Sequence, residues 1–510
     1  MIFDKARMDG ALNIQELIER LKNLSNIFMI QPRLFVYISH FAFTIFCLVI
    51  VCLNNDIDAK MMQVIFLEGY LALFLPFFRG CSGIFCNFIG NMKLNRINIH
   101  NFKCFEDVSI ELHPRLNVLM GNNGTGKSSL LEAFRILIGS LYLGYDKYEN
   151  KIAMPGIVKD DIRLRNIEGS LEPQIPAYVY AEGELSHHYM PENSRSICWK
   201  RAMETLGGST TTRDAKDLQQ ASSKIQLSVR EGLGQDIPLI AYFSTERYKK
   251  ERRDTDVSSA GSRMRGYFNA LDTTTSTKFF LDLYYTETLD QVQNDIESAL
   301  LAAVNSAVST CVNCRNLKYN LKTQELLVEY NNDESLPFNL LSDGVRCTLA
   351  MVMEIAFRCC LLNPHLRENA PRNTKGVVLI DEIDLHLHPS WQLHILNDLR
   401  NAFPEIQFIV STHAPLVVSR LDDCKIYKIA DRKVYNFPVQ NGRDANYILK
   451  GMEVHYHTSD EKVKLESYFS LIDQGLGHTV EACTLRQELE EMLGKDHSEL
   501  KRADMLLSFF

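Results

Sequence analysis

Apolar and polar residues interleave from Leu94 to Ile99, and Val108, Ile110 and Leu112 alternate strictly. A period of two predicts a pair of half-buried antiparallel strands. The apolar run Leu116 to Met120 follows, and beyond a glycine-rich break Leu130, Leu131, Phe134 and Leu137 recur at helical spacing. Strand, loop and helix succeed one another there. Further apolar strands, at 239–243, 376–380 and 408–410, each stop at a polar cluster, as buried strands of a parallel sheet do when their ends carry chemistry. After Asn441 the period changes: Val463, Tyr468 and Ile472, then Leu485, Leu489, Met492 and Leu493, fall on helical stripes. The pattern predicts an α/β protein with a helical tail.

The first 91 residues follow another rule. Leu34 to Leu53 is a run of 20 residues without a formal charge, long enough to span a bilayer. A second run, Met61 to Phe78, is interrupted by Glu68 and Pro76. Arg20, Lys22 and Arg33 before the first run, with Arg79 and Lys93 after the second, fit a hairpin with both ends cytoplasmic. Three readings stand: a membrane hairpin through residues 34–78, a soluble helical pair, and an extension from a misplaced start. We favour the last, with a cytoplasmic protein, because Met92 opens a self-contained domain, MKLNRINIHNFKCF. A cleaved signal peptide does not fit a run that begins so far inside the chain.

Composition narrows the function. The chain has 510 residues, 46% hydrophobic and 23% charged, so it is folded and holds several units. With 55 Lys and Arg against 63 Asp and Glu, the net charge of −8 leaves no global footprint for nucleic acid, and any such contact is local. Thirteen scattered cysteines give no disulfide framework and suit reduced thiols. The pair Cys311 and Cys314 has the spacing of half a zinc site, to be completed by a second protomer, but no second pair lies nearby.

The glycine-rich break reads Gly121, Asn122, Asn123, Gly124, Thr125, Gly126, Lys127, Ser128, Ser129, the G-x-x-x-x-G-K-S phosphate loop in its strand–loop–helix setting. Glycines let backbone N–H groups curl around phosphate oxygens, Lys127 neutralises β/γ charge and Ser128 ligates Mg²⁺, so the pattern implies ATP and Mg²⁺. Far downstream the strand Gly376 to Ile380 ends in Asp381 and Glu382. Asp381 suits the Mg²⁺ shell, and Glu382 suits polarisation of the attacking water.

Leu341-Ser342-Asp343-Gly344, before a helical run and 35 residues ahead of the second motif, resembles the ABC-type signature. The resemblance implies that Ser342, Asp343 and Gly344 meet the γ-phosphate held by the opposite protomer. His413, after Phe408-Ile-Val-Ser-Thr, resembles the switch histidine, and Asp384-Leu-His-Leu-His-Pro389 the D-loop region. His386 and His388 also suit a metal pair, though an interface loop is the preferred reading. No Q-loop glutamine is evident; Leu239–Phe243 followed by Ser244-Thr-Glu-Arg247 occupies its place. Together these imply an ABC-type ATPase head, a RecA-like lobe plus an antiparallel β-lobe, split between 92–140 and 315–436. A helical and irregular insertion spans 141–314, including the 239–253 strand and basic segment, and residues 437–510 form a helical tail for dimer or partner docking.

About 215 residues separate phosphate loop and signature without a sustained heptad run, which excludes a long coiled-coil arm. Arg247 to Arg253 carries five positive charges and one aromatic, with Arg263 and Arg265 nearby: a local nucleic-acid contact or a solvated face. Only 97 residues follow His413, too few for a Toprim nuclease domain, and no His-Asn-His pattern is visible. From Met92 the chain resembles the PtuA ATPases of Septu-type antiphage systems, which also occur beside reverse transcriptases in some retrons. The stretches IAYFSTER, SRMRGYFNALD, LIDEIDLHLHPSWQ, STHAPLVV and NGRDANYILKGME carry that resemblance. It implies a homodimer or higher oligomer that controls a separate HNH endonuclease of the PtuB kind, with a retron reverse transcriptase and its RNA/DNA product as a further partner. The alternatives are a recombination-type repair ATPase that clamps DNA and, less well fitted, a transporter subunit, since two spans cannot form a substrate path.

Overall fold

The computed structural model describes residues 92–146, 154–185, 196–232, 235–248, 262–273, 277–438, 459–494 and 498–507. The apolar runs between 34 and 78 lie outside the described residues, as does 249–261 with most of the basic segment. Among the described residues no helix is long and apolar enough to cross a membrane.

The chain opens with the hairpin β1 (Met92–Phe102) and β2 (Phe105–Glu111), then β3 (Leu116–Met120) runs into helix α1 (Lys127–Gly139). A small hairpin, β4 (Leu164–Ile167) and β5 (Ser170–Pro173), precedes β6 (Ala177–Leu185), β7 (Ser196–Met203), helix α2 (Lys216–Arg230) and β8 (Leu239–Phe243). Helices α3 (Thr277–Asn294) and α4 (Ala299–Val312) lead to the three short strands β9 (Asn316–Asn320), β10 (Glu325–Glu329) and β11 (Ser335–Pro337). Helix α5 (Asp343–Leu362), β12 (Gly376–Ile380), helix α6 (Ile395–Ala402), β13 (Ile406–Thr412), β14 (Lys425–Ala430) and β15 (Lys433–Phe437) complete the head.

Two sheets organise it. The inner sheet has the order β15-β14-β3-β13-β12-β8, parallel except for the edge strand β15. Every residue of β3, β8, β12 and β13 is buried, as parallel strands covered on both faces require. The outer sheet is antiparallel, in the order β2-β1-β6-β7. This is an α/β ABC-type head with an antiparallel lobe.

The span 141–314 holds more strands than the one at 239–243 that the sequence suggested. It supplies β6 and β7 to the outer lobe and β8 to the inner sheet. Buried Ala177, Val179 and Ala181 alternate with half-buried Tyr178, Tyr180 and Glu182, a period of two that marks β6 in the sequence itself. The 92–140 and 315–436 segments are therefore closed into one head by strands from between them.

Polar side chains join the sheets. Gln407 is fully buried in β13, yet its Oε1 accepts from the Leu94 N–H at 2.9 Å while its Nε2 donates to the carbonyls of Leu94 (2.9 Å) and His113 (2.8 Å). One amide thus acts as a rung between a parallel strand and an antiparallel one. Replacing Gln407 by Leu takes this partner from the Leu94 N–H and carbonyl in a dry place, while the His113 carbonyl keeps its bond from Asn117 Nδ2 (2.8 Å), and we expect a loss of roughly 2–4 kcal/mol, read as a lower Tm of the full chain.

Helix α5 packs on α4 and on the turn at 263–267. Arg358, almost wholly buried, pairs with Glu354 at 2.7 Å and donates to the carbonyls of Gly266 and Phe268. Arg263 donates to the Leu362 carbonyl at the end of α5, so this arginine closes a helix rather than joining a basic surface. Cys311 and Cys314 are both buried, with burial pushing both thiols up, to about 11 for Cys314. A zinc ion shared with a second protomer has no access to them, and no metal-binding cluster of three His, Cys, Asp or Glu occurs among the described residues.

The tail has helices α7 (Ser459–Asp473), α8 (Val480–Leu493) and α9 (Ser498–Leu507). Leu465, Tyr468, Ile472, Ala482, Leu489, Leu500 and Ala503 form a small core separate from that of the head. Much of the stripe predicted from periodicity is used up inside the tail, and Val463, Leu476, Val480, Met492 and Met505 remain exposed.

Candidate active site

Parallel strands bring their carboxyl ends to one edge, and the in-register pairs Thr412 with Met120 and Ile380 with Val410 set that edge. The loops that leave it carry the sequence motifs. After β3 the backbone turns left-handed at Gly124 (φ 78°) and Gly126 (φ 106°) before α1 starts. Gly126 is fixed twice over: a Cβ there would lie 2.7 Å from both Cys104 Sγ and the Phe105 ring. Ser128 is exposed at the first turn of α1, and Ser129 is half-buried behind it. The Asn101–Phe105 turn thus covers the phosphate loop from the outer lobe, a neighbour the sequence motif did not announce.

Lys127 is buried, and its Nζ donates to the loop carbonyls of Gly121 (2.8 Å) and Asn122 (2.9 Å). Burial pulls its ammonium below the usual lysine range, while the charges of Glu382, Asp381 and Asp384 pull the other way. A cation flanked by three carboxylates, beside a helix N-terminus, can hold a polyphosphate, with the acids left to receive a hard cation.

Asp381 is 2% exposed and accepts a hydrogen bond from Ser411 Oγ at 2.5 Å. The same Ser411 oxygen accepts from the Glu382 N–H at 2.8 Å. Glu382 is half-buried at φ 47°, so the backbone turns sharply where the second acid emerges. Arg247 lies behind this turn, with Nη1 donating to the Asp381 carbonyl at 2.6 Å and Nη2 to the Glu382 carbonyl at 3.0 Å. Arg247, expected with Arg253 at the ends of a nucleic-acid patch, is turned inward against the acids; the rest of that patch lies largely outside the described residues.

His413 follows β13 and is 46% exposed at its side chain. Its Nδ1 lies 3.0 Å from Asp384 Oδ2, and Thr412 Oγ1 donates to Asp384 Oδ1 at 2.5 Å. Buried Asp384 thereby fixes the imidazole so that Nδ1 carries the proton toward it and Nε2 is left to face a ligand. Sequence reasoning assigned Asp384 only to a loop; its role comes from contact with a strand end 28 residues away. His388 Nδ1 bonds Ser390 at 2.8 Å, which ties it to a local turn rather than to a metal pair with His386.

The signature residues begin α5. Ser342 and Asp343 are exposed, and Gly344 packs so closely on the loop at His386 that a Cβ would stand 2.3 Å from the His386 carbonyl oxygen. The structure shows one protomer, in which the signature presents an open face.

A sheet that delivers a phosphate loop, paired acids and a buttressed histidine to one edge, with an antiparallel lobe leaning on the loop, defines an ABC-type ATPase head. The family described as an AAA domain matches residues 96–325. The Retron Vc95 probable ATPase of Vibrio cholerae is 26% identical over 480 residues, covering 78% of this chain and 87% of that protein. The Retron Ec83 probable ATPase of Escherichia coli is 26% identical over 472 residues, 81% of this chain and 86% of that one. The Septu protein PtuA of Bacillus mycoides is 25% identical over 370 residues, 70% of this chain and 44% of its own length. Over most of its length the chain is similar to these retron and PtuA ATPases.

Proposed function

We propose that this chain is the ATP-driven component of an antiphage defence system and that it works as a homodimer or higher oligomer. Gly121 to Ser129 cradle the phosphates of ATP, and Lys127 neutralises the β/γ charge. Ser128 and Asp381 are the oxygen donors for Mg²⁺, a hydroxyl and a carboxylate of the hard type that cation prefers; the bound ion supplies neutralisation of developing phosphate charge. Glu382 accepts the proton of the attacking water, His413 contacts the γ-phosphate through Nε2, and Ser342, Asp343 and Gly344 complete the site of the opposite protomer. The observation that carries this reading is Lys127 held on the phosphate-loop carbonyls within the field of Asp381 and Glu382.

The effector chemistry belongs to another polypeptide. Each site carboxylate is already engaged in ATP hydrolysis, and no metal-holding acid cluster occurs among the described residues of the tail. The proposed partner is an HNH nuclease, docked in part on the residues the tail leaves exposed, with a retron reverse transcriptase and its nucleic acid as a further component. Membrane association through residues 34–78 is not part of this reading. The purified chain alone should leave DNA and RNA intact with ATP and Mg²⁺, and removing residues 460–510 should abolish co-purification of the HNH protein while sparing the oligomer. Robust cleavage by the isolated chain, lost in Lys127→Ala, would sink the proposal.

A further inference from the structure

We infer that Arg247 is a positioning residue for hydrolysis, holding from behind the backbone turn that aims Glu382. The inference rests on the proposed role of Glu382. Two consecutive carbonyls can be bound by one guanidinium only when the chain turns so that both face the same way, and the left-handed conformation of Glu382 does this. The N–H of Glu382 is held from the opposite side by Ser411. The peptide units flanking the acid are thus pinned on both sides, and the carboxylate keeps only its own side-chain torsions. The fork also donates to the Ser244 carbonyl at 2.8 Å, which ties the turn to the end of β8.

No single-point cation replaces this fork. A guanidinium offers several donors in one plane, whereas an ammonium is a point charge on a flexible stem. Arg247 also lines a cavity of about 360 Å³ together with Asp343, Cys347 and His386. The residue therefore stands between the acid turn and the first turns of α5, the helix that the signature opens. In the sequence it fills the place where a Q-loop glutamine is missing, and there it grips the backbone carbonyls of the acids instead.

The test uses the full chain with Arg247→Lys and Arg247→Gln, each also combined with Glu382→Gln. Turnover of ATP and binding of the fluorescent nucleotide MANT-ATP are measured for every variant. We expect kcat to fall about tenfold or more in both single variants with KM for ATP within about twofold of the parent, the signature of a group that acts on the chemical step. MANT-ATP binding should be retained, which also reports a folded protein. In the Glu382→Gln background neither change should lower turnover further, because the group being aimed is already gone. A raised KM at unchanged kcat, lost MANT-ATP binding, or an equal further loss in the Glu382→Gln background would overturn the inference. A parent chain without turnover, or Glu382→Gln at the parent rate, would instead remove the reading of Glu382 beneath it.

Discussion

Glu382→Gln is expected to lower ATP turnover by roughly a hundredfold or more while ATP still binds, because the amide keeps the size and hydrogen bonding of the carboxylate but cannot take a proton from water. The surroundings favour a clean result. Glu382 is half-buried, its N–H is held by Ser411 and its carbonyl by Arg247, so the substitution leaves the backbone where it was. Asp381 keeps its bond to Ser411 and remains available for the cation. An oligomer that closes around ATP and cannot hydrolyse it should accumulate, visible as a larger species by light scattering only when ATP is added. Hydrolysis at the parental rate would show that another group activates the water.

Lys127→Ala and Ser342→Arg should each abolish turnover alone and recover it when mixed. Lys127 sits inside the phosphate loop, whereas Ser342 stands exposed just before the first turn of α5. If each nucleotide is enclosed by the loop of one protomer and the signature of the other, a mixed dimer holds one site with both lesions and one with neither. Random pairing makes half the dimers mixed, so about a quarter of the parental sites should return. An arginine side chain at position 342 blocks the approach of a phosphate without touching the core. Equal loss in every mixture would place both functions in one protomer.

How much of this was legible depended on how far apart the partners lie. The phosphate loop announces itself in nine adjacent residues, and strand ends at Asp381 and His413 show as apolar runs that stop at polar clusters. What pairs these ends is not local. Arg247 meets Asp381 across 134 residues, Ser411 meets it across 30, and Gln407 meets Leu94 across 313. No periodicity records such contacts, and a basic residue in a basic run reads as surface until the strand beside it is known. Strand β6 is a different case. Its alternation is present at Ala177, Val179 and Ala181, and it is hidden when everything between two motifs counts as insertion. Tail stripes are visible as helices, but whether a stripe seals its own bundle or a partner depends on three helices meeting, which one helix cannot reveal.

The separate core of the tail bears on how such a protein changes over generations. Leu465, Tyr468, Ile472 and their neighbours satisfy one another, so substitutions on the outside of these helices are energetically independent of the residues that hold nucleotide. Selection can therefore vary the outer face of the tail without disturbing the sheet that carries the phosphate loop.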